Sequence, residues 1–105
     1  MYARTSFWTG TPEAVELWAE HVAAKVAPMV AGLPGNAGAY FFVDRVDGKA
    51  LTLTLWESEE AAQASDVAAD RSRESTMAAT GIELRRRGRF EVVGLQSAAM
   101  AARTE

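Results

Sequence analysis

The chain contains no cysteine. Disulfides, thiolate metal sites and a cysteine nucleophile are excluded together, and a reducing, cytoplasmic setting is the natural expectation. Histidine occurs once, as His21, and one imidazole does not make a metal site. No run approaches the roughly 18 apolar residues that a membrane-spanning helix requires. Met1-Tyr2-Ala3-Arg4 lacks the charged-then-apolar opening of a signal peptide, so no membrane association is expected. Positive charge is not in excess: the net charge is −3, which argues against nucleic acid as the main partner. No glycine-rich phosphate loop, Ser/His/Asp nucleophile set or paired-carboxylate arrangement is recognisable.

What is present is a chain of 105 residues with 49% hydrophobic content, enough for one small domain with a real core. That domain is expected over residues 1–95, with 96–105 a flexible tail. Its centre is Leu51-Thr-Leu-Thr-Leu-Trp-Glu57, whose period of two marks a strand with one strongly apolar face. Asp47-Gly48 just upstream lies between two apolar runs and predicts a hairpin. Ser58 with Glu59 and Glu60 predicts a helix start.

Around this centre, Tyr2 to Trp8 reads as a first strand. Thr11-Pro12-Glu13 opens a helix whose apolar stripe is Val15, Trp18, Val22, Val26, Met29, Val30 and Leu33. Pro28 predicts a kink or restart within it. Ala39–Val46 and Ala50–Trp56 form the hairpin; a two-residue turn sets Val46 opposite Lys49, Phe42 opposite Leu53 and Tyr40 opposite Leu55. Ser58 to about Thr80 is an alanine-rich helix, with Asp70-Arg71-Ser72-Arg73 a possible break and Gly81 its terminator. Arg89 to Leu95 reads as the fourth strand. The order is β-α-β-β-α-β, an α+β ferredoxin-like domain: a four-stranded antiparallel sheet with helices on one face. Tyr40-Phe41-Phe42-Val43 is apolar on both faces, so a second copy is expected to cover the other one. The face bearing Phe41, Val43, Thr52 and Thr54 is the expected dimer face.

Few residues carry chemistry. His21, the single imidazole, is a candidate general base, though it also reads as a partly exposed helix histidine. Arg4 shares its parity with Ser6 and Trp8, which places a cation on a covered face. Trp18 lies on the helical stripe and reads as core. Trp8 and Trp56 end adjacent strands, where with Tyr40 they would wall a pocket for a flat ligand, or simply pack. Arg85-Arg86-Arg87-Gly88-Arg89 reads as a solvated lead-in to an edge strand, with an anion site as its other reading.

Leu33-Pro34-Gly35, the aromatic strand, Asp47-Gly48 and then Leu-Thr-Leu-Thr-Leu-Trp-Glu-Ser-Glu-Glu-Ala-Ala resemble the dimeric α+β barrel superfamily. Within it they are most similar to the antibiotic biosynthesis monooxygenase-like branch. The resemblance implies a homodimer with a pocket between sheet and helices in each protomer. It also implies oxidation of an aromatic or polyketide-like molecule without metal, flavin or other cofactor, or a non-catalytic binding dimer of the same fold. On that footing Arg4 and His21 are the expected catalytic residues, and Trp56, Tyr40 and Trp8 the expected substrate contacts. Haem-degrading members carry a tryptophan on the second helix where this chain has Ser65, and a histidine that this helix lacks. The polyketide oxygenases use tryptophan, tyrosine, asparagine and arginine; Trp56 stands at the motif tryptophan, whereas Asn36, the only asparagine, is expected in a loop.

Overall fold

Two capped helices and a hairpin lock the chain into its layers. A computed structural model describes residues 1–96, so all but Gln96 of the expected tail lies outside the described residues. Strand β1 (Tyr2–Thr9) leads to α1 (Pro12–His21), where Thr11 Oγ1 accepts from the Ala14 N–H (3.1 Å) and proline opens the first turn. The helix continues through a π-helical segment (Val22–Val26) into α2 (Ala27–Ala31). Pro28 explains the irregularity: it has no N–H to give and its ring crowds the carbonyl four residues back. The chain responds one turn earlier, where the Ala27 N–H bonds to the Val22 carbonyl, five residues back.

Strands β2 (Asn36–Asp44) and β3 (Lys49–Trp56) form the hairpin, α3 (Glu59–Ala64) and α4 (Asp66–Thr80) follow, and β4 (Glu83–Glu91) closes the sheet. The sheet order is β2-β3-β1-β4, antiparallel throughout, with α1, α2 and α4 on one face. This is the ferredoxin-like arrangement. Gly81, with φ 76°, ends α4 as expected and returns its N–H to the Met77 carbonyl.

The structure corrects several expectations. The hairpin loop has four residues, not two: Asp44 pairs with Lys49, Phe42 with Leu51 and Tyr40 with Leu53. Asp44 Oδ1 accepts the N–H groups of Val46 and Asp47 (both 3.1 Å), and this side-chain-capped turn takes up the two extra residues. Gly48 is held there by contact as well as by conformation. Its φ is 67°, its carbonyl accepts the Gly10 N–H, and a Cβ would fall 2.3 Å from the Gly10 oxygen. A shift of two preserves which residues share a face.

The assignment of the faces is reversed. Phe41 and Val43 pack on the core, Thr54 is buried and Thr52 is partly buried, so this face is covered by the helices and is not available to a second copy. Trp56 shares their parity, and its burial under the helices settles the direction. Tyr40, Phe42, Leu51, Leu53 and Leu55 face the other way. The helix break falls at Ser65 rather than at residues 70–73, and β4 begins at Glu83 rather than Arg89. Asn36 is not in a loop. It opens β2, where its Nδ2 donates to the carbonyls of Gly38 and Leu55.

Candidate functional site

The core is lopsided. Trp8, Val15, Trp18, Val22, Val26, Val30, Ala50 and Ile82 fill the space between α1–α2 and the sheet. Beneath α3 and α4 the buried residues are Ala62 and the polar Arg4, Ser6, Ser65, Thr76 and Thr80. Apolar and polar halves meet at a cavity lined by Trp8, Trp18, Trp56, Arg4 and Arg73, with Met29 and Leu33 also lining it. Its free internal volume is about 50 Å³, within an envelope of about 510 Å³ that includes the open mouth. The smaller figure measures what fits without movement: a few waters, well short of the several hundred Å³ that drug-sized ligands occupy.

Arg4 is 7% exposed and makes three side-chain hydrogen bonds. Its Nη1 donates to Ser65 Oγ (2.6 Å), and its Nη2 donates to the Ala62 carbonyl (2.6 Å) and to Asp66 Oδ1. The helix break positions all three acceptors. Ser65 Oγ also donates to the Ala62 carbonyl (2.7 Å), a local bond that competes with helix continuation and turns the chain at the point where Arg4 arrives. The guanidinium carbon lies 5.6 Å from the centre of the Trp56 ring, in cation–π range.

Arg73 reaches the same seam from α4. Its Nε donates to Ser6 Oγ (3.0 Å) and its Nη1 to Asp70 Oδ1 (3.2 Å). Burial lowers the pKa of both arginines from the ordinary guanidinium value; Asp66 opposes this for Arg4, and for Arg73 the neighbouring Arg4 adds to the depression. Both remain cations at neutral pH.

The three indoles differ in a way that matters for a ligand. Trp56 Nε1 donates to Thr54 Oγ1 (2.9 Å) and Trp8 Nε1 to Thr52 Oγ1 (3.3 Å). Trp18, 1% exposed, has a buried Nε1–H without an acceptor among the described residues. An unpaired buried donor of this kind costs roughly 1–3 kcal/mol.

The expected site residues therefore divide. Arg4, Trp8 and Trp56 come together at the cavity. Tyr40 does not: it lies on the opposite face, 58% exposed and stacked on Phe42 with ring centres 5.8 Å apart. The strand alternation that brings Phe41 inward turns Tyr40 outward. His21 lines a separate shallow recess with Lys25, Ala68 and Arg71, across the wall formed by Val26 and Met29. None of the cavity-lining side chains can accept a proton as a neutral-pH base. Arg73 and Ser65, placed by sequence at a helix break and beside the motif, are cavity residues, and Trp18 is a lining residue as well as core.

A second, open cleft of about 340 Å³ adjoins the cavity and shares Arg4 and Arg73 with it; Asp66, Asp70, Arg87, Gly88 and Arg89 complete its walls. The arginine run is thus part of strand β4 itself.

Comparison with known proteins agrees with this architecture. Two uncharacterised proteins of Mycobacterium tuberculosis are each 32% identical over 65 residues, covering 62% of this chain; the chain spans only 29% of their length. Among solved structures, a monooxygenase of Streptomyces coelicolor in complex with nanaomycin D superposes with a TM-score of 0.67 at 17% identity, over 91% of this chain and 89% of that one. A mutant form of SnoaB, a cofactor-independent oxygenase of Streptomyces nogalater, gives 0.63 at 18% identity, over 90% and 94%. At these identities the likeness is one of fold. The family model for antibiotic biosynthesis monooxygenases matches residues 1–69, from β1 through the motif strand and into α4. That match takes in well over half of the chain, and the chain belongs to the antibiotic biosynthesis monooxygenase family.

Proposed function

We propose that the protein is a small oxygenase acting on an aromatic, polyketide-like molecule without metal or flavin. The observation that carries this reading is the convergence of three tryptophans, the buried Arg4 and the half-buried Arg73 on one cavity in a chain of this family. The substrate's own anion would supply the electrons. An activated CH₂ flanked by aromatic rings, as in an anthrone, loses a proton and passes electrons to dioxygen; recombination and loss of water leave a carbonyl. The balance is CH₂ plus O₂ giving C=O plus H₂O, with dioxygen the oxidant.

With no base in the cavity lining, the proton leaves to solvent through the mouth. Arg73 and Arg4 favour the anion electrostatically, in a site where water is scarce. Trp8 and Trp56 hold the flat rings, and a ligand oxygen accepts from the unpaired Trp18 N–H. Entry of a fused-ring molecule requires Met29, Leu33 and Arg73 to swing aside, since the resting free volume is too small. In this arrangement His21 has no role in the chemistry.

The test is oxygen uptake with anthrone in air-saturated buffer. Uptake above the buffer rate is expected, at about one O₂ per anthrone consumed and at least ~10-fold lower in Arg73→Gln. A rate equal to that of buffer alone would overturn the oxygenase reading. The small free volume and the missing base favour one alternative, a non-catalytic binding dimer of the same fold. Saturable binding of anthraquinone without anthrone-dependent oxygen uptake would establish it.

The dimer itself is part of the proposal. The uncovered sheet face bears Tyr40, Phe42 and Phe90, all exposed, with Phe7, Leu51, Leu53 and Leu55 half-buried. This apolar surface suits a second copy facing it across the barrel. Leu53→Arg, at the centre of that face, is expected to convert the protein to monomer in sedimentation velocity; an unchanged sedimentation coefficient would reject the face.

A further inference from the structure

The cleft beside the cavity is lined by four arginines and two aspartates, and their arrangement is regular. Asp66 contacts both Arg4 and Arg89; Asp70 contacts both Arg73 (3.2 Å) and Arg87 (3.5 Å). These are two Arg–Asp–Arg rungs, one above the other. The spacing follows from secondary structure. Asp66 and Asp70 are four residues apart on α4, about 6 Å along its axis, and Arg87 and Arg89 are two apart on β4, about 6.6 Å along the strand. Arg4 lies directly across the strand pair from Arg89, and Ser6, which holds Arg73, lies across from Arg87.

Four guanidiniums against two carboxylates leave a surplus of two positive charges in an open cleft. Like charges directly across a strand pair destabilise it unless something lies between them. Asp66 serves Arg4 and Arg89 in this way. In the second rung Asp70 is shared more loosely: among the described residues Arg87 makes only a 3.5 Å contact to it, which leaves its donors for another acceptor. Burial, and then the neighbouring Arg4 and Arg87, lower the pKa of Arg73, which fits a cluster of cations short of counter-charge.

We propose that this cleft is an anion-recognition site for a carboxylate carried by the ligand. Its occupant is an amphiphile whose aromatic body enters the tryptophan cavity while its carboxylate sits between Arg73, Arg87 and Arg89. Shared walls support one ligand spanning both spaces, because Arg4 and Arg73 border the cavity and the cleft alike. Planar guanidiniums pair with a carboxylate through two parallel N–H···O bonds, which a neutral amide or ketone does not reproduce. This inference rests on the cavity reading for the aromatic half only; the anion site stands on its own residues.

The experiment titrates the full chain with 2-naphthoate and with neutral 2-naphthamide. Tryptophan indole and arginine Nε resonances are followed together in ¹H–¹⁵N spectra. Naphthoate is expected to bind at least ~10-fold tighter than the amide, shifting both sets of resonances. In Arg87→Gln/Arg89→Gln that preference falls to within about twofold while amide binding persists. Both positions are partly solvent-exposed, and a single cooperative thermal melt confirms that the variant is folded. Equal affinities in the wild type, or a preference that survives in the variant, overturn the anion site and leave the cavity reading intact. Arginine shifts with naphthoate but no indole shifts from either ligand uphold the anion site and reject the cavity. No response to either ligand rejects both.

Discussion

The two halves of the covered sheet face are built on different physical principles. Under α1 and α2 the interface is aliphatic and aromatic, with Val15 and Trp18 interlocking with Trp8 and Ala50. Under α4 the buried helix residues are Thr76 and Thr80, and the sheet answers with Arg4 and Ser6. An alanine- and threonine-rich helix buries too little apolar area to be held as α1 is. Its N-terminal half is held instead by ion pairs to β1 and β4, with Asp66 and Asp70 as the shared partners. The difference teaches where function can sit. An apolar interface of this kind is filled, whereas a polar one leaves donors, charge and some free space. The cavity lies along the seam between them.

Substitutions on the two sides should therefore behave differently. Trp18→Ala attacks the apolar half and is expected to destabilise by about 3–5 kcal/mol in urea unfolding, a large part of a small domain's stability. Trp18→Phe sharpens the point: it keeps most of the volume and removes the unpaired N–H, so its cost should fall to about 1 kcal/mol or less. A loss as large as that of the alanine variant would mean that the indole N–H has a partner in solution.

On the polar half, Arg4→Leu strands the Ser65 hydroxyl and the Ala62 carbonyl. Asp66 is half-exposed and keeps Arg89, so the expected cost is about 2–3 kcal/mol, below that of a fully buried pair. A neutral outcome in the same unfolding experiment would contradict the claim that this half is held by Arg4. The smallest effect belongs to Arg87→Gln, whose exposed 3.5 Å contact to Asp70 should contribute under about 1 kcal/mol to stability. Removing it should nevertheless weaken binding of 2-naphthoate, because its 3.5 Å contact to Asp70 is the longest in the cluster and leaves its donors available to a ligand. A thermal melt and a titration on the same sample separate the two effects.

The apolar half was legible in the sequence because its residues repeat at three and four along one helix, and the motif strand because leucine alternates along it. The position of Pro28 announced the irregular turn. The polar half was not legible in the same way. β4 has arginines where an inward-facing strand normally shows apolar residues, so period-two hydrophobicity started the strand six residues late. The signal that could have found it was relational: carboxylates four apart in a helix match arginines two apart in a strand. The loop length depended on the Asp44 side chain capping its own turn. Reversing the faces followed from Tyr40-Phe41-Phe42-Val43, which is apolar on both sides and gives no direction; the burial of Trp56 supplies it. His21 was singled out by its chemistry alone, and proximity did not follow from that.

The most direct test of the account is the set of three tryptophan indole N–H resonances during titration with anthraquinone, a neutral flat molecule carrying two carbonyl acceptors. The account predicts that the Trp18 resonance moves furthest and downfield as it gains an acceptor. Trp8 and Trp56, already bonded to Thr52 and Thr54, should shift less. A titration that leaves all three unmoved, or moves only surface aromatics such as Tyr40 and Phe42, would contradict the central claim that the seam between the two halves receives the ligand.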